Sequence, residues 1–314
     1  MEIPYILKIE SEFKRWIANP NDLPEWSKYP LPFAVQRQGF TLPYYELLSQ
    51  QIKNSPFFID LVQLNVSNPV YIPFDIQERQ LYLYFMLKGT LLYMTESRKP
   101  IIKTQPNSFL MSYYDSGRYF AYAQKGMHIC LVVSILPEWI ESMYHNYPNI
   151  QNVLHRFNHD NRTYDTMYQF RMDRKIHRWL YKIYSYSQTN IGALDGNLRK
   201  YISYLLEHYD TMLEDQKADL AYKIKAYIQE HYCDNALTIK FLSEYFFVTE
   251  RTLLNIFKRQ YHISVQDFIT ELRISHALFL IEKQGKAIKD VYMEVGYTNE
   301  RPFRTALEQY LKRR

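Results

Sequence analysis

The hydrophobic period of this chain changes once, at Pro137, and that change restricts the fold more than any other feature. Before it, apolar residues come in short runs with the two-residue period of strands. After it they recur every three to four residues, as on helices. An all-β stretch followed by an all-α stretch predicts separate domains rather than an interleaved α/β sheet.

The β-like half runs from about Tyr44 to Val133. LYLYFML (81–87), then Lys88-Gly89, then LLYM (91–94), predicts a hairpin with Gly89 in its turn. FLMSYY (109–114), YFAYA (119–123) and HICLVVSIL (128–136) follow, separated by Asp115-Ser116-Gly117 and Lys125-Gly126. Strands at this spacing without helices between them predict a small antiparallel β-barrel or jelly roll. In 81–87 both alternating faces are apolar: Leu81, Leu83, Phe85 and Leu87 on one, Tyr82, Tyr84 and Met86 on the other. Such a strand is buried on both sides, facing a lumen on one and a covering element on the other. Tyr82, Tyr84 and Met86 are candidate effector-pocket residues, and plain aromatic core packing is the alternative. Arg79 and Arg118 are candidates for an acidic effector, or ordinary residues at strand ends. Ahead of the barrel, Pro4, Pro20, Pro24, Pro30 and Pro32 predict an extended arm with one short helix over Ile9–Ile17. An arm of this kind is a candidate two-state element over the barrel.

Composition removes several classes of function. Eight glycines in 314 residues, with no GxGxxG and no GxxxxGK[ST], leave no phosphate-binding loop. Cys130 and Cys233 form no CxxC, so neither a zinc site nor a disulfide framework is expected, and a reducing compartment fits. His128 alone falls in the strand region, without an HxH, and the other N-terminal histidines (145, 155, 159 and 177) lie beyond it. A metal-dependent barrel enzyme needs two or three converging histidines and a carboxylate. No enzymatic activity, metal or cofactor is expected. The start, MEIPYILKIESEFK, has no basic segment followed by an apolar one, and the longest apolar run, 129–136, is far short of a bilayer span. A soluble, cytoplasmic protein without a membrane partner is expected.

In the helical half, PEWIESMYHNY, MYQFRMDRKIHRWLYKIYSYS and LDGNLRKYISYLLEHYDTML show the longer period. Phe170, Ile176, Trp179, Leu180 and Ile183 share one stripe, and Gly192 and Gly196 predict the break of a helical hairpin. Trp179, Ile183, Tyr201, Leu205 and Leu206 exceed what one hairpin covers, which predicts a homodimer through about 165–214 unless the barrel covers them. The expected domains are 1–164 (arm and barrel), 165–214 (helical linker and dimerisation hairpin) and 215–314 (all-α).

That last domain holds one pattern twice. Thr238 caps a short helix with Ile239, Leu242 and Tyr245, Phe247-Val248 turns, and Thr249 caps a helix with Leu253, Ile256 and Phe257. Ile288 and Val291, the turn Val295-Gly296-Tyr297, and a helix capped by Asn299 with Phe303 and Leu307 repeat it. Each unit is a helix-turn-helix, whose second helix enters the DNA major groove. Between them runs an amphipathic stretch from Ser264 to about Glu282, a rod of about 28 Å, against roughly 34 Å between successive major-groove faces.

FLSEYFFVTERTLLNIFKRQYHISVQDFITELRISHALFLI with IKDVYMEVGYTNERPFRTAL resembles the DNA-binding domain of the AraC/XylS family of bacterial transcription regulators. The resemblance covers about the last 95 residues, with Arg273, Ala277 and the VGY turn in register. It implies a transcription regulator bound to promoter DNA, and so to the nucleoid, with RNA polymerase as a further partner. It also implies a cupin-like barrel that senses a small-molecule effector, or alternatively one that only dimerises or binds protein. The chain departs from the family at Tyr292, where a small residue is common, and at His262, where glycine is usual. Pro302 falls in the first turn of the second reading helix, and no GxxP motif follows that helix. By position, Arg251, Leu254 and Asn255 face bases, while Thr252, Lys258 and Arg259 lie near phosphates. Glu300, Arg301 and Thr305 match the base-facing positions of the second unit, with Arg304 on the backbone. Arginine suits guanine and asparagine suits adenine through paired hydrogen bonds. Residues 218–314 carry a net charge of only +3, so placement rather than bulk charge makes the case.

Overall fold

A computed structural model describes residues 3–8, 13–17, 23–27, 29–143, 147–186, 191–216 and 220–312. The chain divides into two compact units, Met1–Leu213 and Glu214–Arg314.

The first unit opens with β1 (Ile6–Leu7), β2 (Lys14–Ile17), β3 (Gln36–Thr41), β4 (Tyr45–Asn54), β5 (Phe57–Val66) and β6 (Val70–Ile76). It continues through β7 (Gln80–Lys88), β8 (Leu91–Thr95), β9 (Pro100–Lys103), β10 (Ser108–Tyr114), β11 (Gly117–Ala123) and β12 (Gly126–Ile135). Then come α1 (Pro137–Met143), α2 (Pro148–His159), β13 (Tyr164–Thr166), β14 (Phe170–Arg171), α3 (Arg174–Tyr184) and α4 (Ile191–Gln216). The strands form two antiparallel sheets, ordered β1-β6-β11-β8-β9 and β13-β10-β7-β12-β5-β4-β3-β2, with β14 also on β10. They face each other across a core that includes Leu64, Ile72, Tyr82, Tyr84, Met86, Leu110 and Tyr119. The outer face of the larger sheet presents Leu81, Leu83, Phe85 and Phe109 to Ile140, Val153, Ile176, Leu198 and Leu206 of the four helices. β7 therefore serves two cores, and its double apolar character follows from that position.

The sheets correct the sequence reading in several places. β7 and β8 do not form a hairpin, since they belong to different sheets. Both edges of β7 are taken, by β10 and β12, so the chain leaves the sheet at Gly89. Gly89 has φ +77, and a Cβ there would stand 2.5 Å from His128 Nδ1. That nitrogen accepts the Thr90 N–H at 3.1 Å while Nε2 donates to Gln124 O at 2.7 Å, so the lone strand histidine holds a turn. In the expected helix over Ile9–Ile17, residues 14–17 are a strand paired with β3, and 9–12 lie outside the described residues. Gly39 makes room there, because a Cβ would sit 2.1 Å from the Trp16 ring. Of the expected arm, Leu31 and Phe33 are buried in the outer core, and Pro20 lies outside the described residues. Phe170 belongs to a strand rather than to a helical stripe, paired with Phe109 on β10, whose free edge β13 and β14 close. The helix starts only after Asp173, which accepts the N–H groups of Lys175 and Ile176.

Gly192 and Gly196 lie inside α4 rather than at a break. Both sit on its exposed side, and nothing comes within 4 Å of a Cβ at either. Gly196→Ala is expected to stabilise the first unit by about 0.5–1 kcal/mol, read as a higher urea midpoint at unchanged slope. Ile183, Leu205 and Leu206 are buried against the larger sheet, and Trp179 and Tyr201 are half-buried beside them. The barrel takes up the apolar surplus that pointed to a dimer.

Candidate DNA-reading surface and barrel cavity

The second unit contains α5 (Leu220–His231), α6 (Ile239–Tyr245), α7 (Glu250–Tyr261), α8 (Val265–Gln284), α9 (Ile288–Glu294) and α10 (Glu300–Lys312). Thr238 Oγ1 accepts the Phe241 N–H at 3.1 Å and starts α6. Phe247, at φ +54, makes the turn. Thr249 Oγ1 then accepts the Thr252 N–H at 3.2 Å and shares a hydrogen bond with Thr252 Oγ1 at 2.9 Å, which starts α7. The two helices close with α5 and the first part of α8 around Ile224, Ile228, Leu242, Leu253, Phe257 and Val265, all fully buried. Ile274, Ala277, Val291, Val295 and Phe303 form a second closed core around α9, α10 and the rest of α8.

Two contacts fix the cores to each other. The Arg273 guanidinium is buried and donates to Tyr232 O and Asp234 O, each at 2.7 Å, satisfying carbonyls just past the end of α5. It also lies 5.4 Å from the centre of the Tyr297 ring, in the second turn. Gly296, at φ +87, brings that turn so close to α5 that a Cβ would stand 2.7 Å from Cys233 O. The residues of the VGY turn are thus explained by packing.

On this frame, Arg251, Asn255, Lys258 and Arg259 lie exposed along one side of α7. None of their side chains makes a hydrogen bond or ion pair with the described residues. Thr252 spends its hydroxyl on Thr249, and Leu254 is half-buried against the core. The second helix differs. Arg304 Nε donates to Glu300 Oε1 at 2.7 Å, so these two opposite charges neutralise each other, and Thr305 Oγ1 donates to Arg301 O at 3.1 Å. The Arg301 guanidinium remains exposed and without a partner among the described residues. Among the described residues, four of the first unit's six candidates thus share one exposed cationic face, and Arg301 is the one candidate of the second unit left as such a cation.

The barrel has an interior cavity of about 100 Å³ between the two sheets. Tyr82 and Tyr84 line it, whereas Met86 is buried beside it and accepts from Tyr84 Oη at 3.2 Å. The wall also includes Tyr5, Tyr93, Tyr114 and Cys130, which the sequence reading did not single out. A signal for Tyr114 was present: Leu110, Ser112 and Tyr114 alternate along β10 as Tyr82 and Tyr84 do on β7, and Ser112 pairs with Tyr82. Burial raises the phenols of Tyr82, Tyr84 and Tyr93 well above their ordinary value and pushes the Cys130 thiol up to about 12, so none ionises near neutrality. Arg79 and Arg118 are elsewhere: Arg79 donates to Asp160 O and Arg162 O, and Arg118 pairs with Asp75 at 3.0 Å. Among the described residues no cluster of three metal-ligating side chains occurs, and no helix is long and apolar enough to cross a membrane.

Residues 242–313 match the family described as "Helix-turn-helix domain". The C-terminal unit is an AraC-type double helix-turn-helix domain. It is similar to the melibiose operon regulatory protein of Escherichia coli (strain K12), with 28% identity over 85 residues, 27% of this chain. That match spans 28% of the relative's own length. Among solved structures, the C-terminal domain of AraT, a response regulator from Geobacillus stearothermophilus, is 24% identical over 30% of this chain and 78% of that one, with a TM-score of 0.29. ToxT from Vibrio cholerae is 14% identical over 82% of this chain and 99% of that one, with a TM-score of 0.33.

Proposed function

We propose that this protein is a sequence-specific DNA-binding transcription regulator whose barrel responds to a small molecule. The observation that carries the DNA reading is the open face of α7, where Arg251, Asn255, Lys258 and Arg259 stand unengaged on a closed core. Arg251 and Asn255 read base edges, guanine and adenine being their best partners. Lys258 and Arg259 neutralise phosphates, and Thr252 holds the start of the helix. In the second unit Arg301 is the reader, and the Glu300–Arg304 pair limits that helix to a lesser share of the affinity.

The small-molecule reading rests on the cavity between the sheets with its tyrosine hydroxyls. A barrel that served only for dimerisation would have no use for a hollow interior. An effector regulates only if it binds two states with different affinity, so DNA affinity with and without it is the decisive comparison.

The test is selection of duplexes from a random pool, followed by salt titration of the best one. Lys258→Ala is expected to weaken all duplexes alike and to reduce the slope of log K against log salt by about one. Recovery of no preferred sequence by the full chain would remove the reading.

A further inference from the structure

The first strand delivers Tyr5 to the barrel interior, where its phenol meets a carboxylate that the DNA-reading function leaves unused. Asp60, on β5, is fully buried. It accepts hydrogen bonds from Tyr5 Oη at 2.5 Å, from Ser49 Oγ at 2.9 and 2.8 Å, and from Gln51 Nε2 at 2.9 Å. These donors, and the Gln50 backbone N–H that joins them, are all uncharged. Burial pushes the Asp60 carboxyl up, and these donors only partly offset that. The partners that Asp60 holds here are neutral hydrogen-bond donors rather than cations.

Tyr5 forms one wall of the cavity, edge-on to Phe58 and Phe74 with ring centres 6.3 and 6.4 Å away. No charged side chain lines the remaining wall, which is aliphatic, aromatic or hydroxyl-bearing apart from the Cys130 thiol. A carboxylate ligand would find no cation there, and the one acidic group a guest could reach is Asp60, only in the place of Tyr5, where the donors it now holds are uncharged. The strand that directly follows Tyr5 is, by contrast, lightly attached. β1 is two residues long and lies at the edge of its sheet, paired through Ile6 with Asp75 and Leu7 with Phe74. The flanking ties are Lys8 N–H to Pro73 O at 2.9 Å, a half-exposed Lys8–Asp75 ion pair, and Tyr82 Oη to Pro4 O at 3.0 Å. A deeply anchored ring on a short edge strand is a side chain that can be exchanged.

Building on the sensor reading above, we propose that Tyr5 is a tethered occupant of the barrel, and that the free ligand is a compact, uncharged ring compound of the phenol class that replaces it on Asp60 and releases β1. The cavity with the vacated ring space suits a single six-membered ring, since apolar cavities near this size take up benzene-sized guests.

The experiment uses the full chain and p-cresol, which reproduces the tyrosine side chain, measured by calorimetry and by amide hydrogen exchange over residues 3–8. p-Cresol is expected to bind, to speed exchange in that segment, and to bind about tenfold more tightly than toluene, which lacks the hydroxyl. Tyr5→Phe keeps the ring and the fold but gives up the hold on Asp60. It is expected to bind p-cresol several-fold more tightly than the wild type. A residue that merely contacted the ligand would show the opposite sign. Weaker or equal binding by Tyr5→Phe, unchanged exchange at 3–8, or binding of benzoate or benzylamine as tight as p-cresol would each overturn the proposal. Should p-cresol release β1 without changing affinity for the selected duplex, the exchange site stands and the sensor reading fails.

Discussion

Gly296→Ala is expected to destabilise the second helix-turn-helix unit by about 3 kcal/mol, through two effects that add. An L-residue held in the left-handed region costs roughly 1–2 kcal/mol. The added methyl would also stand 2.7 Å from Cys233 O, 2.9 Å from Cys233 C and 3.0 Å from Tyr232 O, all backbone atoms that no rotamer change can move aside. Gly285 provides the control: its φ is +68, yet nothing lies within 4 Å of a Cβ there, so Gly285→Ala is expected to cost only the conformational part. Hydrogen exchange over residues 288–312 separates the two. Protection in that segment should collapse in Gly296→Ala and persist in Gly285→Ala. Equal losses in both would mean that the close approach to α5 does not matter to stability.

Arg251→Ala is expected to weaken binding to the selected duplex by about 1–3 kcal/mol, roughly five- to 150-fold, and to relax the preference at one base pair. Its exposed guanidinium has no partner among the described residues, so its removal disturbs no internal contact and the loss reads directly as lost DNA contact. Arg301→Ala should cost less, because its helix offers only that one unengaged candidate beside the Glu300–Arg304 pair. Gel-shift titration of both variants on the selected duplex and on single-base variants of it gives both quantities. Unchanged affinity and unchanged base preference in Arg251→Ala would show that α7 does not lie in the groove.

What the sequence reveals here is mainly local. Thr238 and Thr249 announce their helices because a cap bonds to N–H groups two or three residues on, and Ser264 does the same for α8. The alternation in 81–87 shows that Tyr82, Tyr84 and Met86 share a face, since that parity belongs to the strand itself. Partner choice is not local. Gly89 signals a turn equally well whether the next strand folds back or crosses to the other sheet, and the occupied edges of β7 decide it. Phe170 fits a helical stripe by spacing, yet the open edge of β10 claims it. Gly192 and Gly196 look like breaks, but on the exposed side of a long helix they cost too little to end it. The contact between Tyr5 and Asp60, 55 residues apart, leaves no trace in either neighbourhood.

α8 belongs to two cores at once, through Val265, Phe268 and Ile269 toward one end and Ile274, Ala277 and Leu280 toward the other. The rotational phase between α7 and α10 is therefore built into its length. One residue inserted between Ile269 and Ile274 would swing the second unit by about 100° while advancing it only about 1.5 Å. A duplex recovers that angle in about three base pairs, but those three carry it about 10 Å along the axis. No small insertion in the protein is matched by a small insertion in the DNA. On the proposed reading, target sites that use both units are expected to drift in their letters while the distance between the two half-sites stays frozen.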